Sequence, residues 1–246
     1  MAKIKKKSVL GLIVARKGSK GIKNKNLIRF NRKPLIKWTI SEAKKSRLLD
    51  YILLSTDCRK IASLGRANKI SVPFLRPSKL SGDKTKVADV IIHALNFLKK
   101  KGIVFEYVAL LEPTSPLREA VDIDQSIKRI KRYKGKSLIS VCRCKASHPS
   151  FQFKKIKKMI KPLNNKNLLS KSRQELEDIF YIDGSIYLSK VEHIFEKKAF
   201  YSDKTIFFEV PKWKSVEIDD KIDLLIAENL KKNTHLLKKH DRKIFN

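Results

Sequence analysis

The chain predicts an α/β domain in three layers, a mostly parallel central sheet with helices on both faces. Two observations carry that reading. Short runs rich in Val, Ile and Leu recur at 8–15, 51–55, 72–75, 105–111 and 137–142. The spacers 34–48, 58–69, 86–101 and 121–133 place apolar residues at helical intervals, and strand–helix alternation of this kind is the signature of a parallel sheet. A third observation makes the core feasible: 42% of the 246 residues are hydrophobic, enough to bury a real interior despite the charge.

Taken in order, the first run, SVLGLIVA (8–15), ends abruptly at Arg16 and gives way to glycines, lysines and asparagines. Ligands of open parallel sheets sit beyond the carboxyl ends of the strands. That rule gathers the loops 16–29, 56–57, 76–85 and 112–118 on one rim. The alternation breaks after about residue 145, where 146–178 is polar and turn-rich. Strand-like runs return at 180–188 and 206–210, and a helix is expected over 220–232. No internal repeat or flexible linker interrupts the chain, so 1–246 reads as one domain. Residues 146–200 form an excursion from it, such as a dimerisation arm.

Lysine and arginine total 57 against 24 acids, a net charge of +33. Such an excess attracts polyanions, and it makes nonspecific binding sensitive to salt. The cations are dispersed rather than gathered in a block, so nucleic acid is expected only as a nonspecific charge partner. Cys58, Cys142 and Cys144 cannot all pair with one another; Cys142 and Cys144 share one face of a strand and lack metal-ligand spacing. Reduced thiols follow. The N-terminal stretch superficially mimics a signal peptide, but its apolar run is only about seven residues with no small-residue cleavage site. No window approaches the roughly 20 apolar residues of a membrane helix. The expectation is a cytoplasmic protein with no membrane partner.

The loop ARKGSKGIKNKN (15–26) is neither a Walker A sequence nor a dinucleotide fingerprint, because Gly18 and Gly21 do not make GxGxxG. Arg16, Ser19, Lys20 and Lys25 beside backbone amides can still surround a triphosphate. The rival is an RNA clamp of the GXXG type, which GSKG fits; that clamp joins two helices, whereas this loop follows an apolar run. In LLEPTSPLR (110–118) two prolines stiffen the backbone around Thr114 and Ser115, and Arg118 offers a fork suited to phosphate or carboxylate. Glu217 and Asp219 stand two apart after a strand-like run at 213–216 and share a face, so they could hold a divalent cation through oxygen. The competing role for such acids is to cap the helix at 220–232, through Asp219 or Asp220. His93, among Ile91, Ile92 and Leu95, reads as a packed residue, and His148, before Pro149, as a turn histidine.

The stretches ARKGSKGIKNKN, STD (55–57), RPSKLSGDKT (76–85), DVIIHAL (89–95), LLEPTSPLR, SRQ (172–174), DGSIY (183–187) and VEID (216–219) all lie along the chain. Together they resemble the acylneuraminate cytidylyltransferases, the CMP-sialic acid synthetases, over about residues 8–230. The resemblance implies a Rossmann-like nucleotidyltransferase fold, a homodimer and a Mg²⁺-dependent reaction. In it, the anomeric hydroxyl of a nine-carbon 2-keto sugar acid attacks CTP and pyrophosphate leaves. It further implies that Arg16, Gly18, Ser19, Lys20, Asn26, Arg76 and Asp83 bind the nucleotide, with Arg16, Lys25 and Asp219 carrying the chemistry. Glu112, Thr114, Ser115, Arg173 and Tyr187 would meet the sugar, and Glu217 with Asp219 would hold Mg²⁺. Three positions depart from the family pattern, one of them Ser172, where Arg or Pro is common. Glu112 replaces a usual Gln and would repel an acidic sugar, and Glu217 lengthens one arm of an Asp-x-Asp pair. An eight-carbon acceptor, a catalytically altered relative or an RNA-binding protein stay open as alternatives.

Overall fold

The computed structural model describes residues 5–19, 21–145, 147–163 and 175–244. Its centre is a six-stranded sheet ordered β10-β6-β9-β5-β1-β4. These strands are β1 (Lys5–Val14), β4 (Tyr51–Ser55), β5 (Ile103–Leu110), β6 (Ser137–Arg143), β9 (Phe180–Lys190) and β10 (Ile206–Glu209). β1 pairs in parallel with β4 and β5, and β10 with β6. Within this sheet β9 alone runs against its neighbours, between β5 and β6. The predicted mostly parallel sheet is therefore present.

Alternation along β1 explains the three layers. Val9 and Ile13 face one side, where they pack with α1 (Leu35–Lys45), α2 (Arg59–Ala67) and α4 (Ala120–Arg132) through Ile36, Ile40, Ile61, Ile123 and Ile127. Leu10 and Leu12 face the other side, against α3 (Val87–Lys100) and α5 (Val191–Lys197) through Ile91, Ala94, Leu98 and Ile194. Side chains on a strand point alternately, so a strand buried on both faces must be apolar at every position. A third cluster, with Phe30, Leu117, Trp213 and Ile218, fastens α6 (Lys221–Lys232) and the segment before it to the rim.

Four expectations need correction. Residues 72–75 form no strand: only Ser71 bridges Leu53, and Pro73 has no N–H to continue a ladder. The run at 213–216 is not a strand either. Lys212–Lys214 is a 3₁₀ turn that buries Trp213, whose Nε1 donates to Asp241 at 2.6 Å. A further helix, α7 (Thr234–Ile244), follows α6, beyond the last helix expected at 220–232. Small ribbons complete the fold: β2 (Arg29–Phe30) with β3 (Lys33–Pro34), and β7 (Phe153–Ile156) with β8 (Met159–Pro162). The second ribbon lies in the expected 146–200 excursion and exposes Phe153, Ile156, Met159 and Ile160. The upper bound of that excursion is wrong, however: β9 is a central strand of the sheet and α5 packs on it, so the chain is back in the core from Phe180. No helix among the described residues is long and apolar enough to cross a membrane.

Candidate active site

A cavity of about 560 Å³ opens on the rim where β1 and β5 end. Its wall carries Arg16, Ser19, Lys25, Asn26, Arg76 and Asp83 from the first and third rim loops. Glu112 and Thr114 join them from the turn after β5, with Glu217 and Asp219 from the approach to α6. Lys25 and Asp219, 194 residues apart in sequence, meet here because parallel strands deliver their following loops to the same edge.

The charged side chains are held in place. Arg16 pairs with Asp83 across the mouth. Lys25 donates to the Ile218 carbonyl at 2.8 Å and to Asp219 at 2.7 Å, with its side chain only 12% exposed. Asn26 is buried and donates to the Arg16 carbonyl at 3.1 Å, which fixes the loop. Arg76 is buried, donates through Nε to Ser81, and faces Asp57 at 3.8 Å; Asp57 also accepts the Lys17 N–H. The Nη1 of Arg76 has no partner among the described residues. Burial lowers the Arg76 pKa, with Asp57 opposing and Arg16 adding to the effect.

Glu112, Glu217 and Asp219 line the same cavity as these cations. Burial and then Glu217 push Glu112 up to about 7, with Arg118 opposing. Glu217 is raised by burial, although a hydrogen bond from Thr114 Oγ1 at 3.0 Å favours its ionised form. Asp220, not Asp219, caps α6: it accepts from the Ile222 and Asp223 amides, while Asp223 accepts from the Asp219 and Asp220 amides. The Asp219 carboxylate is thereby left to Lys25 and the cavity. Hard oxygen donors with more negative charge than Lys25 neutralises fit a divalent cation. Among the described residues no three carboxylates, imidazoles or thiolates are grouped to hold a metal alone. A cation held by Glu217 and Asp219 would complete its shell with substrate oxygens and water, as Mg²⁺ commonly does.

Other expected residues are placed differently. Gly18 has open space around it and does not line the cavity. Ser115 is buried beneath the rim and its Oγ meets no described partner, so it is not positioned to touch a sugar in the cavity. Arg118 is fully buried and donates to the carbonyls of Glu112 and Ser185 and to Thr39 Oγ1, so its fork braces the turn and is not free for phosphate. Tyr187 lines a neighbouring cavity together with Glu112. Lys20 and Arg173 lie outside the described residues. His93 packs edge-on against Phe74, and His148 caps a turn by accepting from Ser150 N at 3.1 Å. The three cysteines are unpaired.

Sequence reasoning missed two glycines and a lysine as builders of the site. A Cβ on Gly21 would stand 2.2 Å from the Asp219 carbonyl oxygen, so only glycine lets the loop close on the acidic segment. Gly184 has φ +77° and its Cβ would meet Glu217 Oε2 at 2.8 Å. Lys214 is buried against both oxygens of Asp122 at 2.8 Å and Glu119 at 2.9 Å, tying the 212–219 segment to α4. The GSKG and DGS patterns were signals for the glycines; nothing marks Lys214 among so many lysines.

The family model described as cytidylyltransferase matches residues 10–244. A CMP-N,N'-diacetyllegionaminic acid synthase of Legionella pneumophila is 32% identical over 233 residues, covering 90% of this chain and 95% of the relative. An N-acylneuraminate cytidylyltransferase of Escherichia coli is 29% identical over 228 residues, 89% of this chain, which spans about half (51%) of that longer relative. Among solved structures, a CMP:2-keto-3-deoxy-manno-octonic acid synthetase complexed with CTP matches with TM-score 0.67, covering 92% of this chain and 99% of that one. At 13% identity that likeness concerns the fold alone. The resemblance carried by the sequence motifs is thus borne out: the chain belongs to the cytidylyltransferase family, alongside the CMP-sialic acid synthetases.

Proposed function

We propose that the protein transfers CMP from CTP to the anomeric hydroxyl of a nine-carbon 2-keto sugar acid of the sialic, legionaminic or pseudaminic type, releasing pyrophosphate. The observation that carries this reading is the rim cavity in which Arg16, Lys25 and Arg76 face Glu112, Glu217 and Asp219. Relatives named for all three sugar types match over about nine-tenths of the chain.

In this reading the acceptor oxygen forms a bond to the α-phosphorus as the bond to pyrophosphate breaks. Such a displacement asks for positioning and charge neutralisation more than covalent help from the protein. Arg16 and Lys25 oppose phosphate charge, with Lys25 held in place by Asp219 and the Ile218 carbonyl. Arg76, which lines the same cavity, would add a further positive charge near the phosphates. Mg²⁺ on Glu217 and Asp219 would supply shielding of the phosphate oxygens. In this reading Glu112, which lines both the rim cavity and the neighbouring one, meets the acceptor. The expected homodimer is consistent with the exposed apolar residues of the β7–β8 ribbon, and the unpaired thiols suit a reducing cytoplasm.

The test is incubation with CTP, Mg²⁺ and a panel of nine- and eight-carbon 2-keto acids, following pyrophosphate and the CMP-sugar by mass. Turnover of a nine-carbon acid supports the reading. Turnover of an eight-carbon acid alone, or none with any acid, overturns it.

A further inference from the structure

A second cavity of about 410 Å³ adjoins the first, and Val87 and Glu112 line both. The charges on its wall are uneven. Glu112 is the one acid, on the shared side, whereas Lys86 and Lys198 line only the second cavity. Tyr187 and Tyr201 complete a face suited to a sugar, and the Tyr187 ring packs on Phe200 at 5.4 Å.

Both lysines rise from fixed backbone. Lys86 immediately precedes α3, and its carbonyl accepts the Asp89 N–H at 3.0 Å. Lys198 ends α5 in the left-handed conformation, φ 50° and ψ 34°, with its N–H donating to the Ile194 carbonyl at 3.0 Å. A non-glycine residue in that region costs free energy, and here it turns the chain so that Lys198, Phe200 and Tyr201 all reach the cavity. Neither ammonium forms an ion pair with a described residue, unlike Lys25 and Lys214. An acidic acceptor meets repulsion from Glu112, and on this wall the compensating charge comes from the two lysines.

We propose that Lys86 and Lys198 read the carboxylate of the acceptor, while Glu112 takes a hydrogen-bond donor of the same molecule, so the acid enters in one orientation. The carboxylate of a 2-keto acid is one bond from the reacting carbon and must lie near the junction. Lys86 lines the second cavity and adjoins in sequence Val87, which lines both. The inference rests on the proposed reaction for the identity of the ligand, and it adds the residues that select it.

The experiment is calorimetric titration of each nine-carbon 2-keto acid of the panel, and of its carboxamide analogue, into the full chain. The double variant K86M/K198M and the charge-preserving K86R/K198R are compared with the unaltered protein, and KM values are measured alongside. Losing both charges should weaken acid binding about tenfold or more, with CTP KM moved less than about twofold. The arginine pair should keep most of the affinity. The amide should bind the unaltered protein poorly but lose nothing further in K86M/K198M. Equal acid affinity in the methionine pair, or an equal amide penalty in both proteins, overturns the inference. Acid binding that depends on the lysines but gives no turnover would overturn the proposed reaction and leave this pair standing. Absence of any acid binding to the unaltered protein would overturn both.

Discussion

The rim cavity and the β7–β8 ribbon draw on the same lysine-rich composition and use it in opposite ways. On the rim, Lys25 is nearly buried and reaches a carboxylate and a carbonyl; beneath it Lys214 is buried between two acids. On the ribbon, Lys154, Lys155, Lys157, Lys158 and Lys161 are all exposed and form no ion pair with a described residue. The difference teaches that a net charge of +33 says little about what any one lysine does. Burial raises the electrostatic stake of a charge and forces a partner on it, whereas a solvated ammonium is screened within about 10 Å.

The largest expected break in that contrast is at Arg16. R16A removes a cation facing the cavity and should lower turnover by about 10³-fold while leaving the fold intact, since the side chain is partly exposed. Steady-state kinetics beside a thermal melt check both halves, and unchanged activity would remove Arg16 from the triphosphate site. Next comes Lys214. K214M leaves Asp122 without its buried partner, while Glu119 keeps Lys238, and should cost about 3–5 kcal/mol of stability, read by urea unfolding.

A smaller effect belongs to Glu112. Folding lifts its pKa from the ordinary 4.5 to about 7, so the folded protein holds that proton more tightly than the unfolded chain. The associated stability is complete below about pH 4.5 and is lost as pH rises to about 7. Glutamine cannot ionise. Relative to the unaltered protein, E112Q should therefore gain about 1–3 kcal/mol between about pH 5 and pH 8 in metal-free buffer, and a flat difference would contradict the burial of that carboxylate. The smallest effect is expected on the ribbon. Changing Lys154 and Lys157 to Gln should move stability by less than about 0.5 kcal/mol and leave CTP turnover intact, while weakening salt-sensitive binding of nucleic acid.

The strands and helices of the core were legible because both signals, apolar runs and helical periodicity, depend on neighbouring residues. The exceptions were tertiary. Val72 is buried like a strand residue, yet Pro73 stops the ladder after one bridge. Trp213 and Val216 look strand-like because they pack into the third core cluster from a turn. The rim loops were legible as a group, through the rule that places ligands at strand ends. Individual roles were less so: Arg118 has the chemistry of a phosphate ligand, but its burial against two carbonyls and Thr39 makes it a brace. The choice between capping and cavity for the acids before α6 was decided by geometry, since Asp220 accepts the helix N–H groups and Asp219 does not. Gly21 and Gly184 matter through contacts with Asp219 and Glu217, distant in sequence, which no local pattern contains.

The most direct test is a crystal structure of the protein with CTP and Mg²⁺. The account predicts the triphosphate in the rim cavity against Arg16, Ser19 and Lys25, with the metal on Glu217 and Asp219. Nucleotide bound elsewhere, with those side chains in their present pairings, would contradict it.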